Sequence, residues 1–252
     1  MVEVTQTVQP SLLIRIGNFF FKFRDYLFPL VFLPLAIGTR PHVLSDDPRA
    51  EMAMNVLGVT IALAGQALRS VVIGLAYIER GGRNKQIYAS KLVQNGIFAH
   101  SRNPLYVGNL LIICGLTVIH SGAWMYAVVL PFFFFVYMAI VAAEERFLQA
   151  EFGAEYDEYC RRVPRFLPRL AGLGTTLRSM TFDWKRLVRK EYGTFFSTIT
   201  GIFGLLVLEK VRTFGYTAVE PEVRTIGILW AVCILAYLTA RILKKTGSLG
   251  SG

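Results

Sequence analysis

Five long apolar runs dominate this 252-residue chain and limit the kinds of fold that it can adopt. The runs are Met54–Tyr77, Leu105–His120, Ala123–Ala143, Gly193–Leu208 and Thr225–Ile242. A helix needs about 20 mostly apolar residues to cross a bilayer. Only 17% of the residues are charged, whereas a soluble domain carries about 25%. The sequence therefore predicts an all-α integral membrane protein.

A sixth and shorter run, Tyr26–Gly38, contains Pro29 and Pro34 and predicts either a full span or a re-entrant piece. Leu12–Phe23, which precedes it, predicts a helix lying in the membrane interface. With six spans, most of the 27 Lys and Arg residues fall on the side that holds both chain ends. Because positive loops stay inside, we expect about six transmembrane helices with both termini in the cytoplasm.

Charge and cysteine usage exclude several classes of protein. The net charge is +10, but the basic residues lie between apolar runs. They therefore predict loops that contact anionic lipid, and we expect no nucleic acid as a partner. The number of cysteines is odd and no two of them form a CxxC motif, so a disulfide framework is not expected. The three histidines are scattered along the chain, so a metal site is not expected either.

The apolar runs and the segments between them divide the chain into four parts. Residues 1–53 hold the interfacial helix and the first span, and residues 54–170 form a core. Residues 171–246 are a basic linker followed by two further spans. Residues 247–252, which are rich in Gly and Ser, look like an artificial tail.

Two of the runs form a predicted helical hairpin, because only Ser121 and Gly122 separate them. A turn this tight brings both feet of the hairpin to one membrane face. The feet are the sequence around Asn103 and the pair Glu144-Glu145. The hairpin therefore places two polar elements of the chain close together.

Each foot has a chemical use and a structural alternative. Asn103 before Pro104 is a favourable helix start, with Asn as the N-cap and Pro at the first helical position. A helix N-terminus is a natural seat for a carboxylate, although this one could also be an ordinary helix start. Glu144 and Glu145 could bind an ammonium or sulfonium group, or pair with arginines such as Arg102 or Arg146.

Two more segments carry polar signals. Arg69, with Gln66, lies inside a predicted span, where an arginine is costly and faces either a functional cavity or an ion-pair partner. Residues 144–192 are not a span. They predict an amphipathic helix with Tyr156 and Tyr159 on its apolar face, and then a basic irregular stretch lying on the bilayer surface.

These elements resemble a known superfamily. Arg102-Asn-Pro-Leu-Tyr-Val-Gly108 resembles the Arg-His-Pro-x-Tyr-x-Gly motif of the isoprenylcysteine carboxyl methyltransferase and phospholipid methyltransferase superfamily. The family order continues with the hairpin, the acidic pair, the segment Leu148–Tyr159 and Val163-Pro-Arg-Phe-Leu-Pro168. Upstream, Lys91-Leu-Val-Gln-Asn-Gly96 also resembles the family pattern. The resemblance covers residues 54–168.

The resemblance implies a membrane methyltransferase that uses S-adenosylmethionine, releases S-adenosylhomocysteine and has no Rossmann domain. The residues that it assigns to the cofactor pocket are Leu92, Val93, Gly96, His100, Arg102, Asn103, Pro104, Tyr106 and Gly108, with Glu144 and Glu145 at the amino-acid end. Asn103 stands where many members have His. Because Asn does not titrate, a general base at this position is not expected.

Methyl transfer from a sulfonium depends mainly on alignment of the reacting groups and on exclusion of water. For a carboxylate acceptor, Arg165 is the first candidate for the residue that orients the carboxylate. Arg162 and Arg69 are the next candidates. For an amine acceptor, Glu145 would help to remove a proton.

The expected acceptor is lipophilic, a prenylcysteine-type carboxylate or a lipid, and enters from the bilayer to react at the cytoplasmic face. A phospholipid amine and a small-molecule thiol are alternatives. A non-enzymatic transporter or scaffold is a further alternative, although a transporter more often shows internal repeats. The sequence leaves the oligomeric state open.

Overall fold

The computed structural model describes residues 11–40, 48–76, 81–83 and 86–250, and these are helical almost throughout. The helices are α1 (Leu12–Gly38), α2 (Pro48–Leu75), α3 (Pro104–His120), α4 (Leu130–Phe152), α5 (Ala154–Arg162), α6 (Leu173–Ser179), α7 (Trp184–Phe214) and α8 (Tyr216–Lys245). A 3-10 helix, Gly96–Ala99, precedes α3, and a π-helical turn, Met125–Val129, leads into α4. The all-α membrane fold is confirmed.

One small departure from an all-helical chain lies between α2 and the first motif. Strands β1 (Gly81–Arg83) and β2 (Gln86–Tyr88) form a two-stranded antiparallel ribbon, in which Gly82 pairs with Ile87. No pattern in the sequence predicts this ribbon.

Four stretches of the described chain are long and apolar enough to cross a bilayer. They are Arg49–Leu75, Met125–Phe152, Trp184–Phe214 and Tyr216–Lys245. Two shorter apolar segments, Pro29–Gly38 and Pro104–His120, accompany them. These six segments correspond to the six predicted spans. We call the membrane side on which α3 begins and α4 ends the site face.

The first helix differs from the prediction. In place of an interfacial helix over Leu12–Phe23 and a separate short piece, α1 is one continuous helix that contains Pro29 and Pro34. Its first half lies against the bundle, since a Cβ at Gly17 would collide with the carbonyl oxygen of Ala139 on α4. The first half of α1 therefore packs on α4. The helix continues through Pro29 and Pro34, each of which lacks one backbone N–H donor.

Glycines bring α2 and α3 into close contact. A Cβ at Gly115 would lie 2.5 Å from the carbonyl oxygen of Gly58, and one at Gly108 would lie 2.9 Å from that of Gly65. Small residues let membrane helices approach backbone to backbone. This contact holds the start of α3, where the first motif lies, against α2.

The predicted hairpin is present, and its two arms separate from one another. Ser121 takes a left-handed conformation, with φ 54°, in the turn that follows α3. From there α3 packs along α2, whereas α4 packs mainly along α1. At the site face the arms are joined by a hydrogen bond of 2.7 Å from the Tyr106 hydroxyl to Glu144 Oε1.

The segment after the hairpin is two helices rather than one. α4 continues past Glu144 and Glu145 to Phe152, so the acidic pair does not end the helix as the sequence analysis assumes. The break comes at Gly153, whose positive φ of 51° ends α4 and starts α5. The predicted apolar face is buried: Tyr156 and Tyr159 on α5 belong to one cluster of buried residues with Leu148 on α4.

The last two helices form a hairpin around Gly215, and both are longer than the predicted spans. α8 packs on α7, and α7 also lies against α2 and α3. The division of the chain at residue 170 stays a prediction. The fold nevertheless shows that α7 contacts the helices of the predicted core.

Candidate functional site

The loop that carries the first motif is held by the basic stretch after α5. The backbone N–H of Arg102 donates to the Pro164 carbonyl at 3.0 Å, and that of Arg169 donates to the His100 carbonyl at 2.9 Å. The basic stretch is therefore tied to the motif loop by backbone hydrogen bonds, and its position at the bilayer surface stays a prediction. It runs beside the motif loop because both segments have backbone N–H and C=O groups that need hydrogen-bond partners.

Glu145 lies between two arginines at the site face. Its Oε1 atom forms an ion pair with Arg102 Nη1 at 2.9 Å and accepts a hydrogen bond from Arg165 Nε at 3.1 Å, and Arg165 Nη2 donates to its second oxygen. The side chains of Arg102, Glu145 and Arg165 are 14%, 17% and 34% exposed. We call these three residues the Glu145 cluster. Because two guanidinium groups face one carboxylate, the Glu145 cluster has a net positive charge.

The Glu145 cluster also has spare hydrogen-bonding capacity. Within the described part of the chain, Arg102 Nε is buried and makes no hydrogen bond. A buried donor without a partner is costly unless a ligand or water satisfies it. Charge and donor together make the cluster able to accept a further anionic group.

Two residues that the sequence analysis does not assign to the site lie next to Arg102. Its Nη1 atom is 2.7 Å from the Cys160 sulfur, and the Tyr156 side chain lies beside the guanidinium. Burial raises the pKa of Tyr156, and the nearby charge of Glu145 raises it further, so the hydroxyl remains protonated at neutral pH. Their spacing of four residues on α5 is the signal that could have placed both on one side of the helix.

Asn103 has the predicted position but not the predicted contact. Pro104 is the first residue of α3, and the Asn103 carbonyl accepts the first helical hydrogen bonds. Its side chain makes no capping bond to the helix. Instead, Nδ2 donates to the Arg165 carbonyl at 3.1 Å. The amide therefore fixes the backbone of the basic stretch, and the expected side-chain cap is wrong.

Glu144 points from α4 toward the first motif. It is buried, 5% exposed, and accepts the hydrogen bond from Tyr106 described above. Because Glu145 contacts Arg102, both acids touch residues of the motif loop or the start of α3. The structure thus brings together the two feet of the hairpin.

The remaining upstream candidates shape the motif loop. Leu92 packs on the cluster that contains Tyr159, and Val93 packs with Phe98. Gly96 takes a positive φ of 62°, and a Cβ there would meet the Met180 side chain at 2.6 Å. These residues hold the approach to the motif in place.

His100 is buried and has a protein partner at each ring nitrogen. Nδ1 lies 2.7 Å from the Arg169 carbonyl, and Nε2 lies 2.9 Å from the Thr176 hydroxyl. In this structure the ring therefore connects the motif loop to the basic stretch and to α6.

Two candidates lie outside the Glu145 cluster. Arg162 projects from the exposed side of α5, where Nη2 donates to Gln94 Oε1 at 3.1 Å and Nε lies 3.4 Å from Glu158. Gly108 lies in the contact between α2 and α3, where its missing Cβ leaves room for Arg69. The geometry gives Gly108 a packing role and leaves Arg162 at the surface.

Arg69 has an ion-pair partner that the sequence analysis does not single out. Its Nε and Nη2 atoms donate to the two carboxylate oxygens of Glu191 on α7, at 3.1 and 2.5 Å. Its Nη1 atom donates to Asn109 Oδ1 at 2.6 Å. Gln66 Nε2 donates to Glu191 at 3.1 Å. We call Arg69, Glu191, Asn109 and Gln66 the Arg69 cluster. Arg69, the further candidate for orienting an acceptor carboxylate, belongs to this cluster and not to the Glu145 cluster.

The structure shows no metal-binding group among the residues that it describes: no three or more His, Cys, Asp or Glu side chains come together there.

Comparison with known proteins bears on the same segment of the chain. Residues 50–155 match the family model of the phospholipid methyltransferases. The resemblance to this superfamily is confirmed. The matched segment contains the first motif and both acids, and it ends before Arg165 and Glu191. No solved structure matches the chain.

Three curated relatives show the range of the similarity. Cobalt-zinc-cadmium resistance protein CzcN of Cupriavidus metallidurans is 35% identical over 120 residues, 48% of this chain and 50% of that protein. Protein-S-isoprenylcysteine O-methyltransferase of Schizosaccharomyces pombe is 32% identical over 113 residues, covering 41% and 45%. Methanethiol S-methyltransferase 2 of Bradyrhizobium diazoefficiens is 39% identical over 69 residues, covering 27% and 26%. The chain spans about half the length, or less, of the curated relatives it matches.

Proposed function

We propose that this membrane protein is an S-adenosylmethionine-dependent methyltransferase that acts on a lipophilic acceptor at the cytoplasmic face. The observation that carries the proposal is the Glu145 cluster. It joins the family motif, through Arg102, to the acidic pair and to the basic stretch. The match of residues 50–155 to phospholipid methyltransferases supports the reaction class.

The residues of the site fit the polar end of the cofactor. That end carries an ammonium group and a carboxylate. Glu145 offers a carboxylate for the ammonium group, and Arg102 offers a guanidinium with an unused buried nitrogen for the carboxylate. When bound, S-adenosylmethionine supplies a methyl group attached to a positively charged sulfur.

The chain's own contribution is orientation and exclusion of water. Arg165 is the most exposed member of the Glu145 cluster and is placed to orient the carboxylate of an acceptor. Such a carboxylate is already ionised at neutral pH, so no base is needed to activate it. The net positive charge of the cluster favours this acceptor over an amine, for which Glu145 would have to take up a proton.

A thiol acceptor is the second candidate. It is favoured by the similarity of this chain to a protein named methanethiol S-methyltransferase, which extends over 69 residues. A thiolate is an anion, so the same positive cluster would orient it.

Contacts with anionic lipid are part of the proposal. Leu167 and Leu170 are 80% and 74% exposed, next to Arg165 and Arg169. Apolar side chains between cations suit the surface of an anionic bilayer. A lipophilic acceptor would reach the site from that bilayer.

The test is a methyl-transfer assay on the detergent-purified chain with S-adenosylmethionine that carries a radiolabelled methyl group. N-acetyl-S-farnesylcysteine, phosphatidylethanolamine vesicles and methanethiol serve as separate acceptors. We expect label in a base-labile ester on the farnesylcysteine. Arg165→Gln should lower turnover more than affinity for S-adenosylhomocysteine, and Arg161→Gln, at an exposed position on α5, is the matched control. Transfer to none of the three acceptors would contradict the proposal.

A further inference from the structure

The Arg69 cluster connects α7 to the start of α3 within the membrane. Arg69 is 12% exposed and Glu191 is 4% exposed. Two guanidinium nitrogens are used by Glu191, and the third donates to Asn109 on α3. If the pair only neutralised a buried charge, Glu191 alone would suffice. The guanidinium is instead divided between α7 and the helix that begins with the family motif.

A continuous series of contacts runs from Asn109 to the proposed site. Tyr137 on α4 lies beside the side chain of Asn109 and close to the charge of Arg69. The rings of Tyr137 and Tyr106 are 5.4 Å apart, centre to centre. The Tyr106 hydroxyl in turn donates to Glu144. These contacts place the Arg69 guanidinium and the Tyr106 hydroxyl at the two ends of one packed series of polar and aromatic side chains.

We infer that Glu191 is a positioning residue for methyl transfer, acting through Arg69 and Asn109. It fixes the guanidinium that orients Asn109, and Asn109 with Tyr137 then holds Tyr106 against Glu144. This inference rests on the proposed function. It gives a role to α7, which lies outside the family segment of residues 50–155.

Two variants test the inference without leaving a buried charge alone. The double variant Arg69→Gln/Glu191→Gln removes both charges and keeps polar side chains. Asn109→Ala cuts the connection and leaves the ion pair intact. Glu209→Gln is the matched control, because Glu209 lies on the same helix and is buried, and its partner is Asn55 instead of the Arg69 cluster. Thermal unfolding in detergent identifies the folded variants.

The readouts are kcat and KM for N-acetyl-S-farnesylcysteine and the affinity for S-adenosylhomocysteine. Losing one hydrogen bond to a charged group corresponds to about a tenfold change or more, so kcat should fall at least about tenfold in both test variants. KM and the affinity for S-adenosylhomocysteine should stay close to the wild-type values. Glu209→Gln should behave like the wild type in every readout.

Wild-type kcat in a folded test variant would overturn the inference, and so would an equal loss in kcat and affinity. Amide hydrogen exchange at the start of α3 gives a readout without any acceptor, and we expect it to rise in Asn109→Ala. If the wild-type chain transfers no methyl group, the proposed function fails. Unchanged exchange would then overturn the coupling of α7 to α3 separately.

Discussion

The Glu145 cluster and the Arg69 cluster use the same two side-chain types in opposite ways. At the site face, two guanidinium groups share one carboxylate, and all three side chains are partly exposed. Within the membrane, one guanidinium meets one carboxylate, and both are nearly buried. A buried charge must be matched because its desolvation is expensive, whereas an excess charge near water costs little. The unmatched cluster is therefore the one suited to a ligand.

Removing one partner of the matched pair should have the largest effect. Glu191→Leu leaves Arg69 as an isolated buried cation, and breaking a buried pair in this way costs about 3–5 kcal/mol of stability. The double variant Arg69→Leu/Glu191→Leu should recover most of that loss. Denaturant unfolding of the detergent-solubilised protein measures both. A single variant as stable as the wild type would show that the pair is not buried as described.

A smaller effect is expected at Gly108, where the superfamily resemblance and the geometry disagree. A Cβ at this position would stand 2.6 Å from Arg69 Cγ and 2.9 Å from the Gly65 carbonyl. Gly108→Ala should therefore cost about 1–3 kcal/mol of stability by overpacking. Gly204→Ala, at a helical glycine with open space around it, is the control. If Gly108→Ala keeps full stability but weakens binding of S-adenosylhomocysteine, Gly108 belongs to the pocket.

The smallest effect concerns the start of α7, the helix that carries Glu191. The Asp183 carboxylate accepts from the Arg186 backbone N–H at 2.9 Å, and this bond is the main cause that lowers the pKa of Asp183. A lowered pKa means that the stabilisation is present above the ordinary pKa of Asp and is lost as the pH falls through the lowered value. Unfolding temperatures of the wild type and Asp183→Asn should differ at neutral pH and converge in acid. A gap that persists in acid would contradict this assignment.

The sequence predicts those parts of the molecule that depend on local patterns. The apolar runs give the spans, Ser121 and Gly122 give the turn, and Pro104 gives the first residue of α3. The family motifs identify the acidic pair and Arg165, which the structure brings together in the Glu145 cluster.

Features that depend on tertiary contacts are not predictable in the same way. The continuity of α1 rests on the packing of Gly17 against Ala139, which lies far away in sequence. The side chain of Asn103 turns from its helix to the basic stretch because that stretch offers a carbonyl group. Glu191 lies two residues before the predicted run Gly193–Leu208, and only the packing of α7 on α2 shows that it is the partner of Arg69.

The most direct test of the central claim is calorimetric titration of S-adenosylhomocysteine into the detergent-purified chain and into its Glu145→Ala variant. Glu151→Ala, at an exposed acid on the same helix, is the matched control. We predict saturable binding to the wild type and to the control, and binding at least about tenfold weaker in Glu145→Ala, since a charge-assisted contact is lost. Equal binding in all three proteins, or no binding to folded wild type, would contradict the assignment of the Glu145 cluster as the cofactor site.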